Sequence, residues 1–232
     1  MKLSILIPVF NEAGTVSAIV ERVRAAPLQS EIVLVNDASC DGTHEIVERL
    51  ASPSVRVIHH QFNCGKGAAI RTGLEAATGE AVVIQDADFE YDPNDLPRLL
   101  EPIAAGQASV VYGVRSLASQ TPIMRLGNQF VTFMTNLMYG AHIQDMETCY
   151  KMMRREIALS LDLECRRFDV EAEITAKLLR SGYDICEMPI GYTARYEDKK
   201  LSPLDGLPTL AALWKYRSWR PARPIVGTNH AS

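Results

Sequence analysis

The sequence predicts an α/β protein with a mainly parallel sheet and helices on both faces of that sheet. Short runs rich in β-branched residues alternate with helical patterns through the first half of the chain. A repeated strand, helix, strand order requires crossover connections, which place the strands in parallel and cover both faces with helices. The predicted strands cover residues 3–9, 31–36, 55–60, 80–86 and 108–113.

Three helices are predicted between these strands, over residues 13–26, 40–51 and 64–78. Their apolar residues recur at three- and four-residue spacing, which places them on one helix face. Asp41 is a candidate N-cap, and Gly79 lies just past an expected helix end. These helices are the crossovers that a parallel sheet needs.

The second half of the chain has a different texture. The pattern predicts a long apolar helix, a strand with a turn, an amphipathic helix closed by Gly182, a further strand and a final helix. In order, these cover residues 122–140, 145–155, 168–182, 183–190 and the start of 205–224. Residues 221–232 are expected to be a disordered tail.

Composition bounds the class of protein. At 232 residues and 47% hydrophobic content, the chain can bury one large core. The net charge of -4 argues against a nucleic-acid partner, because no basic excess is available to neutralise phosphates. The five cysteines are odd in number and contain no CxxC pair, which indicates reduced thiols in the cytoplasm and no zinc site.

A polar cluster follows each of the five predicted strands of the first half. Ligands bind beyond the carboxyl ends of strands in such sheets, so we expect all five clusters to meet at one edge. The clusters are PVFNE (8–12), NDASCDGT (36–43), FNCGKG (62–67), DADFE (86–90) and GVR (113–115).

The fourth cluster begins a series of acids at alternate positions: Asp86, Asp88, Glu90 and Asp92. Their side chains fall on one side of an extended chain and repel one another. Asp86, Asp88 and Glu90 are candidate ligands for Mg²⁺ or Mn²⁺ that completes its coordination with substrate phosphates, so a diphosphate ligand is implied. For Asp92 and Asp95 we favour a helix-start role instead, since Asp-Pro is a helix-start signal.

The second and third clusters offer further ligand contacts. Asp37 is a candidate to accept hydrogen bonds from a ribose or base, because Asp41 has a competing role as a helix cap. The GKG segment matches neither GxGxxG nor a P-loop. Gly65 and Gly67 are expected to allow close backbone approach, and Lys66 is either a ligand contact or a solvated lysine.

Six motifs in order resemble glycosyltransferase family 2, in particular the branch of dolichyl-phosphate mannose synthase and bacterial polyprenyl-phosphate sugar transferases. They are PVFNE, VNDASCDGT, GKGAAIRTG, DADFEYDP, GVR and DMETCYKMMRR with FDVEAEITAKLLRSGY, and the match spans residues 3–217. The resemblance implies a single GT-A catalytic domain over 1–220, with a nucleotide-sugar-binding half (1–115) and an acceptor-side half (116–220). It implies inverting, metal-dependent transfer of a hexose, mannose or glucose, from a GDP- or UDP-sugar to a polyprenyl phosphate.

The resemblance also assigns roles to individual residues. Asp86, Ala87 and Asp88 stand in the DxD position, where Asp88 with Glu90 would ligate the metal and Arg115 would face the donor phosphates. The nucleoside would be held by Pro8, Phe10, Glu12, Val35 and Asp37. The basic loop that closes on the diphosphate and the acceptor phosphate would contain Arg195, Lys199 and Lys200.

A phosphate acceptor fits elementary chemistry. The second pKa of a phosphate monoester is about 6, so the acceptor is an anionic nucleophile that needs no dedicated base at neutral pH. A soluble hydroxyl acceptor would instead need a carboxylate base, for which Asp145 or Glu147, both expected to follow a strand, are candidates. A sugar-phosphate nucleotidyltransferase and a non-catalytic nucleotide-binding module are the remaining alternatives.

Membrane contact is predicted from the C-terminal region. Residues 195–223 contain seven basic and three acidic residues, interleaved with Trp214, Tyr216 and Trp219. This composition favours peripheral contact with the cytosolic face of a membrane, helped by a membrane-protein partner or a homo-oligomer. Helix 122–140 could extend that surface, but Met and Phe at helical spacing are more often core, and we expect core.

Overall fold

The computed structural model describes residues 1–194 and 206–221. Its centre is a seven-stranded sheet in the order β3-β2-β1-β4-β6-β5-β7. The strands are β1 Leu3–Val9, β2 Ser30–Asn36, β3 Val55–His59, β4 Ala81–Ile84, β5 Val110–Arg115, β6 Lys151–Arg154 and β7 Cys186–Ile190. The helices are α1 Val16–Ala25, α2 Thr43–Leu50, α3 Lys66–Ala76, α4 Leu96–Ala104, α5 Pro122–Tyr139, α6 Arg155–Ser160, α7 Val170–Arg180 and α8 Gly206–Tyr216.

The sheet is parallel except for β6, which confirms the predicted fold class. β6 lies between β4 and β5 and is antiparallel to both. The carboxyl ends of β1 to β5 therefore meet at one edge, as predicted. The turn expected after β6 is instead the short helix α6, which begins at the next residue, Arg155.

Helices cover both faces because the chain reverses its direction across the sheet. From β1 to β3 the strands are added on one side, with α1 and α2 as crossovers, and α1 packs on α2. From β3 the chain returns past β1 to β4 through α3, which packs on β1, β2 and α6. Right-handed crossovers then place α3 on the opposite face from α1 and α2.

Helix α7 is buried on all sides along most of its length, so the amphipathic prediction is wrong. Every residue from Val170 to Leu178 is buried, because α5 and α8 pack against this helix. Two of its three buried charged side chains, Glu173 and Lys177, are completely buried and form a 2.7 Å ion pair. The predicted closing residue is confirmed, since Gly182 follows the helix with a φ of 77°.

Helix α5 corrects the expectation of a core helix. Its buried residues are only Val131, Thr132 and Thr135. Five large apolar side chains on the other side are 51–67% exposed: Ile123, Leu126, Phe130, Phe133 and Leu137. Their three- and four-residue spacing places them on one face, which we call the α5 stripe.

Helix α8 packs against α5 and carries part of the predicted membrane contact. Trp214 is 65% exposed, but Tyr216 is buried and Trp219 is partly buried against the core, which corrects the predicted aromatic trio. Within 1–194 and 206–221, the helices are too short or too polar to cross a bilayer. The predicted disordered tail lies outside the described residues, apart from Pro221.

Candidate active site

A cavity of about 790 Å³ opens at the carboxyl edge of the sheet. It is bounded by the loops after β1 to β5 and by residues of α5, α7 and α8. The predicted residues that it brings together are Pro8, Phe10, Glu12, Asp37, Lys66, Asp86, Ala87, Asp88, Glu90 and Arg115. Val35 is a correction, because its side chain is in the core of the sheet and does not line the cavity.

Three loops at this edge contain a non-glycine residue with positive φ. Asn11 (53°), Ala38 (58°) and Phe89 (65°) follow β1, β2 and β4 respectively. Such a conformation costs about 1–3 kcal/mol and is concentrated at functional sites. The strain therefore marks the same edge as the polar clusters.

The loops after β1 and β2 are tied together. Asn11 Oδ1 accepts from the backbone N–H of Cys40 at 2.9 Å, and the Glu12 N–H donates to Thr43 Oγ1 at 3.0 Å. Asp41 accepts from the N–H groups of Thr43 and Ala13, both at 3.1 Å, so it binds the first residue of α2 and the β1 loop. The N-cap of α2 is Gly42, which corrects the predicted N-cap. Hydrogen bonds between the loops after β1 and β2 therefore fix this wall of the cavity.

Asp37 anchors the loop after β3. Its carboxylate accepts from the N–H groups of Cys64 (2.8 Å) and Gly65 (2.7 Å) and contacts His60 Nδ1 at 2.6 Å. Asp37, His60 and Cys64 bring three potential metal-ligating atoms within 4.8 Å of one another. We interpret them as a loop anchor, because the Asp37 oxygens and both ring nitrogens of His60 already have protein partners. A ribose or base contact by Asp37 stays a prediction.

The two glycines of the GKG segment are explained by packing within the protein. A Cβ on Gly65 would lie 2.2 Å from the carbonyl oxygen of Arg166, and one on Gly67 would lie 2.4 Å from that of Cys165. The N–H of Gly67 also donates to the Arg166 carbonyl at 2.8 Å. The close backbone approach that we predicted is therefore made to residues 165–166.

Lys66 is a buried cation between two carboxylates. Its Nζ lies 2.8 Å from Asp86 Oδ1 and 2.7 Å from Glu171 Oε1. Burial alone would lower the pKa of Lys66, but Asp86 and Glu171 raise it well above its ordinary value. The solvated alternative for Lys66 is wrong, and Asp86 is held by a protein cation.

Asp88 and Glu90 carry the remaining negative charge of the acidic loop. Burial, followed by the charges of Asp86 and Glu90, raises the pKa of Asp88 from 3.8 to about 7. Asp88 Oδ1 accepts from the Glu90 N–H at 3.1 Å, and Glu90 Oε2 accepts from the Tyr192 hydroxyl at 3.0 Å. A divalent cation would relieve this crowding of carboxylates, so the donor set fits Mg²⁺ or Mn²⁺.

Asp92, the last acid of the series, caps the turn that precedes α4, as predicted, whereas the side chain of Asp95 makes no cap hydrogen bond at the start of α4. Asp92 Oδ1 accepts from the Asn94 N–H at 3.1 Å at the start of the turn that precedes α4. Asp95 Oδ2 accepts from the Gly191 N–H at 2.7 Å and so joins this turn to the segment after β7.

Arg115 and Asp145 form a buried bidentate ion pair. Arg115 Nε and Nη2 lie 2.7 and 2.8 Å from the two oxygens of Asp145. The pair neutralises the guanidinium that we expected to face the donor phosphates, and it occupies the carboxylate that was a candidate base. Asp145 also precedes β6 and does not follow a strand, which corrects the predicted position.

Glu147 lines the cavity close to this pair. Burial raises its pKa, Arg115 opposes the rise, and Glu171 and Asp145 add to it. Its loop is held from below by Lys151, whose buried Nζ donates to the Met146 carbonyl at 2.5 Å. Of the two candidate bases, Glu147 is the one whose carboxyl group reaches the cavity.

Sequence reasoning missed several lining residues. Arg167 and Phe168 lie just before α7, and Glu171 lies in its first turn. Other segments of the second half supply Gln120, Asn128 and Tyr192. The segment RRFDVE (166–171), at the start of the predicted helix, could have indicated a ligand site, because basic, aromatic and acidic residues are adjacent there. Arg195, Lys199 and Lys200 lie outside the described residues.

The far end of the cavity is apolar. It is formed by Ile123, Met124, Phe130, Leu207 and Leu210 of α5 and α8. Ile123 and Phe130 belong to the α5 stripe, so the cavity wall continues onto the exposed face of that helix.

Known proteins are similar to this chain in sequence. The family model described as "Glycosyl transferase family 2" matches residues 4–161. Polyprenol monophosphomannose synthase of Mycolicibacterium smegmatis is 29% identical, covering 93% of this chain and 85% of that protein. Undecaprenyl-phosphate mannosyltransferase of Micrococcus luteus is 30% identical, covering 84% and 85%. An undecaprenyl-phosphate 4-deoxy-4-formamido-L-arabinose transferase of Pseudomonas fluorescens is 31% identical, covering 87% and 61%.

Solved structures agree on the fold. Glucosyl-3-phosphoglycerate synthase from Mycobacterium tuberculosis, in complex with UDP, superposes with a TM-score of 0.75 at 19% identity and covers 93% of this chain and 80% of that one. The same enzyme in complex with Mn²⁺, UDP-glucose and phosphoglyceric acid gives a TM-score of 0.74 at 20% identity, covering 93% and 79%. With its GT-A fold and a family match over more than half of its length, the chain belongs to glycosyl transferase family 2 and is a glycosyltransferase.

Proposed function

We propose that this enzyme transfers a hexose, mannose or glucose, from a GDP- or UDP-sugar to a polyprenyl phosphate, with inversion and with Mg²⁺ or Mn²⁺ bound. The names of the two mannose-transferring relatives support the lipid-phosphate acceptor. The observation that carries the proposal is the cavity itself, which joins an acidic, lysine-containing end to an apolar end on α5 and α8.

The acidic end fits the diphosphate of the donor. Asp88 and Glu90 would hold the divalent cation, which when bound neutralises charge on the leaving nucleoside diphosphate. Lys66 keeps Asp86 in place, and Arg167 at the cavity wall adds a cation on the other side. Pro8, Phe10 and Glu12 would contact the nucleoside from the rigid β1 loop.

The enzyme must align the acceptor phosphate with the sugar and does not need to deprotonate it. Its phosphate is anionic at neutral pH, because its second pKa is about 6. The phosphate oxygen would attack the anomeric carbon from the side opposite the leaving diphosphate, so the configuration inverts. Arg195, Lys199 and Lys200 are proposed to screen the two anions from each other. The segment that leads to them is fixed by Thr193, whose N–H donates to the Glu90 carbonyl at 3.0 Å.

The apolar end fits the isoprenoid chain and the membrane that holds it. The α5 stripe, together with Leu207 and Trp214 of α8, offers several large exposed apolar side chains beside the cavity. Contiguous apolar surface of this kind marks a protein or membrane contact. We propose peripheral binding at the cytosolic face, where the acceptor phosphate lies at the bilayer surface.

A comparison of acceptors tests the proposal. The protein is incubated with Mn²⁺, GDP-mannose or UDP-glucose, and either a short polyprenyl phosphate, the corresponding polyprenol, or a water-soluble sugar. Release of nucleoside diphosphate should depend on the polyprenyl phosphate and should yield a lipid-extractable sugar. Equal release with the polyprenol or only with soluble acceptors would contradict the lipid-phosphate acceptor.

A soluble hydroxyl acceptor is the second candidate, because Glu147 offers a carboxyl group of raised pKa inside the cavity. Such an acceptor needs a base to remove its proton. Glu147→Gln should then abolish transfer to a hydroxyl acceptor without loss of donor binding, whereas transfer to a phosphate should survive this substitution.

A further inference from the structure

Glu171 lines the cavity with a carboxylate that is held in one orientation. It lies in the first turn of α7, is 8% exposed, and lines the cavity opposite the acidic loop. One of its oxygens, Oε1, is fixed at 2.7 Å from Lys66 Nζ, and Lys66 is in turn fixed at 2.8 Å from Asp86. The carboxylate of Glu171 therefore cannot turn freely.

The second oxygen of Glu171 is unpaired. Oε2 is buried and has no hydrogen-bond partner among residues 1–194 and 206–221. Most buried polar atoms in proteins are hydrogen-bonded, and a buried acceptor without a partner is costly. A hydrogen-bond donor on a bound ligand would give Oε2 the partner that it lacks.

The chemistry of a nucleotide-sugar limits which of its groups can donate a hydrogen bond to Glu171 Oε2. Its phosphates only accept hydrogen bonds and would be repelled by a carboxylate. Its nucleoside belongs at the β1 loop, with Pro8, Phe10 and Glu12, on the far side of the diphosphate. Its hexose carries several neutral hydroxyl donors and follows the diphosphate into the cavity.

We infer that Glu171 Oε2 accepts a hydrogen bond from a hydroxyl group of the donor hexose, which makes Glu171 a residue that selects the sugar. This inference rests on the proposed function, since it needs a nucleotide-sugar in the cavity. Lys66 then has a positioning role: it aims Glu171 at the sugar and ties the sugar subsite to Asp86 of the acidic loop.

The substitution Glu171→Gln tests the hydrogen bond between Oε2 and the hexose. The glutamine can keep its oxygen on Lys66 and presents an NH₂ group to the cavity in place of the acceptor. Glu75→Gln is the matched control, because Glu75 is an exposed glutamate on α3 that does not line the cavity. Binding of GDP-mannose and GDP, and of UDP-glucose and UDP, is measured by calorimetry with Mn²⁺ for each protein.

For the nucleotide that binds the wild type, Glu171→Gln should weaken the nucleotide-sugar by at least about tenfold, as expected for a hydrogen bond to a charged group. The nucleoside diphosphate alone should bind unchanged, and Glu75→Gln should change neither. Equal weakening of both ligands would overturn the inference and place Glu171 in diphosphate binding. No weakening of either would overturn it as well.

A set of monodeoxy donors adds a second readout. Removal of the contacted hydroxyl should weaken binding to the wild type but not to the Glu171→Gln variant, as in a double-mutant cycle. A loss of the same size in both proteins for every deoxy position would overturn the inference. Failure of the wild type to bind any nucleotide-sugar would instead defeat the proposed function itself, so the two failures are distinguishable.

Discussion

The two ends of the cavity are built in opposite ways. At the acidic end, the proposed donor site, loops after three strands are joined by side-chain hydrogen bonds, including those of Asn11, Asp37 and Asp41. At the apolar end, the proposed acceptor site, α5 presents large apolar side chains such as Phe133 and Leu137 to solvent. The first end is suited to hold a small charged ligand in one geometry, and the second to contact a surface that has no fixed geometry.

This difference predicts which property a substitution at each end should affect. Substitutions at the donor end should act on specific atoms of the ligand, or on the stability of the loops that hold it. Substitutions at Phe133 and Leu137, the stripe residues tested below, which do not line the cavity, should leave the donor site intact and act through the proposed membrane contact. The predictions below test that division.

The largest effect is expected at the acidic loop. Asp88→Asn should lower turnover by at least about 10²-fold, since it would remove a proposed ligand of the cation that stabilises the leaving group. Metal-dependent nucleotide binding should disappear with it. Asp92→Asn is the matched control, because asparagine also caps a helix. Full activity of Asp88→Asn would refute its role as a metal ligand.

The Arg115 and Asp145 pair should matter for stability. Asp145→Asn leaves the Arg115 charge buried without its partner, which should cost about 3–5 kcal/mol in the free energy of unfolding. Denaturant unfolding measures this loss, with Glu147→Gln as a control that breaks no ion pair. Lost turnover at unchanged stability would instead make Asp145 the catalytic base.

The pH dependence of stability should reveal the crowded carboxylates. The pKa of Asp88 rises from 3.8 to about 7 on folding, so the folded state binds the proton more tightly and the metal-free protein should lose stability as the pH rises from about 4 to about 7. At about 1.4 kcal/mol per pKa unit, the loss is at most about 4 kcal/mol. Asp88→Asn should flatten this part of the stability profile, and an unchanged slope in that variant would assign the effect elsewhere.

The smallest effect is expected on the α5 stripe. The double substitution Phe133→Asn and Leu137→Asn should reduce flotation with vesicles of phosphatidylcholine and phosphatidylglycerol by at least about tenfold, because each large apolar side chain contributes about 1.5–3 kcal/mol when buried. Nucleotide binding should not change. Leu159→Asn, an exposed leucine on α6 away from the stripe, is the control. Equal flotation of all three proteins would remove the membrane contact from the proposal.

Local patterns were enough to predict which polar clusters meet at the acidic end of the cavity. The five strands and their polar clusters are contiguous in sequence, and the parallel topology follows from their order. The role of Lys66 was not accessible, because its partner Glu171 is far along the chain and the pairing exists only after α3 and α7 pack around the cavity.

The second half was harder for a physical reason. Periodicity cannot distinguish a solvent-facing charge from a buried ion pair, so Glu173 and Lys177 suggested an amphipathic helix. It also cannot tell which side of an apolar helix faces the core, so the exposed Phe133 and Leu137 of α5 were assigned to the interior. Both errors concern what packs against a helix, which its own sequence does not state.

The location of the metal tests the central claim most directly. Crystals grown with Mn²⁺ and a nucleoside diphosphate should show an anomalous manganese peak within about 2.3 Å of a carboxylate oxygen of Asp88, with the diphosphate filling the other coordination sites. A peak at Asp37, His60 and Cys64, or a nucleotide bound away from the acidic loop, would contradict the account.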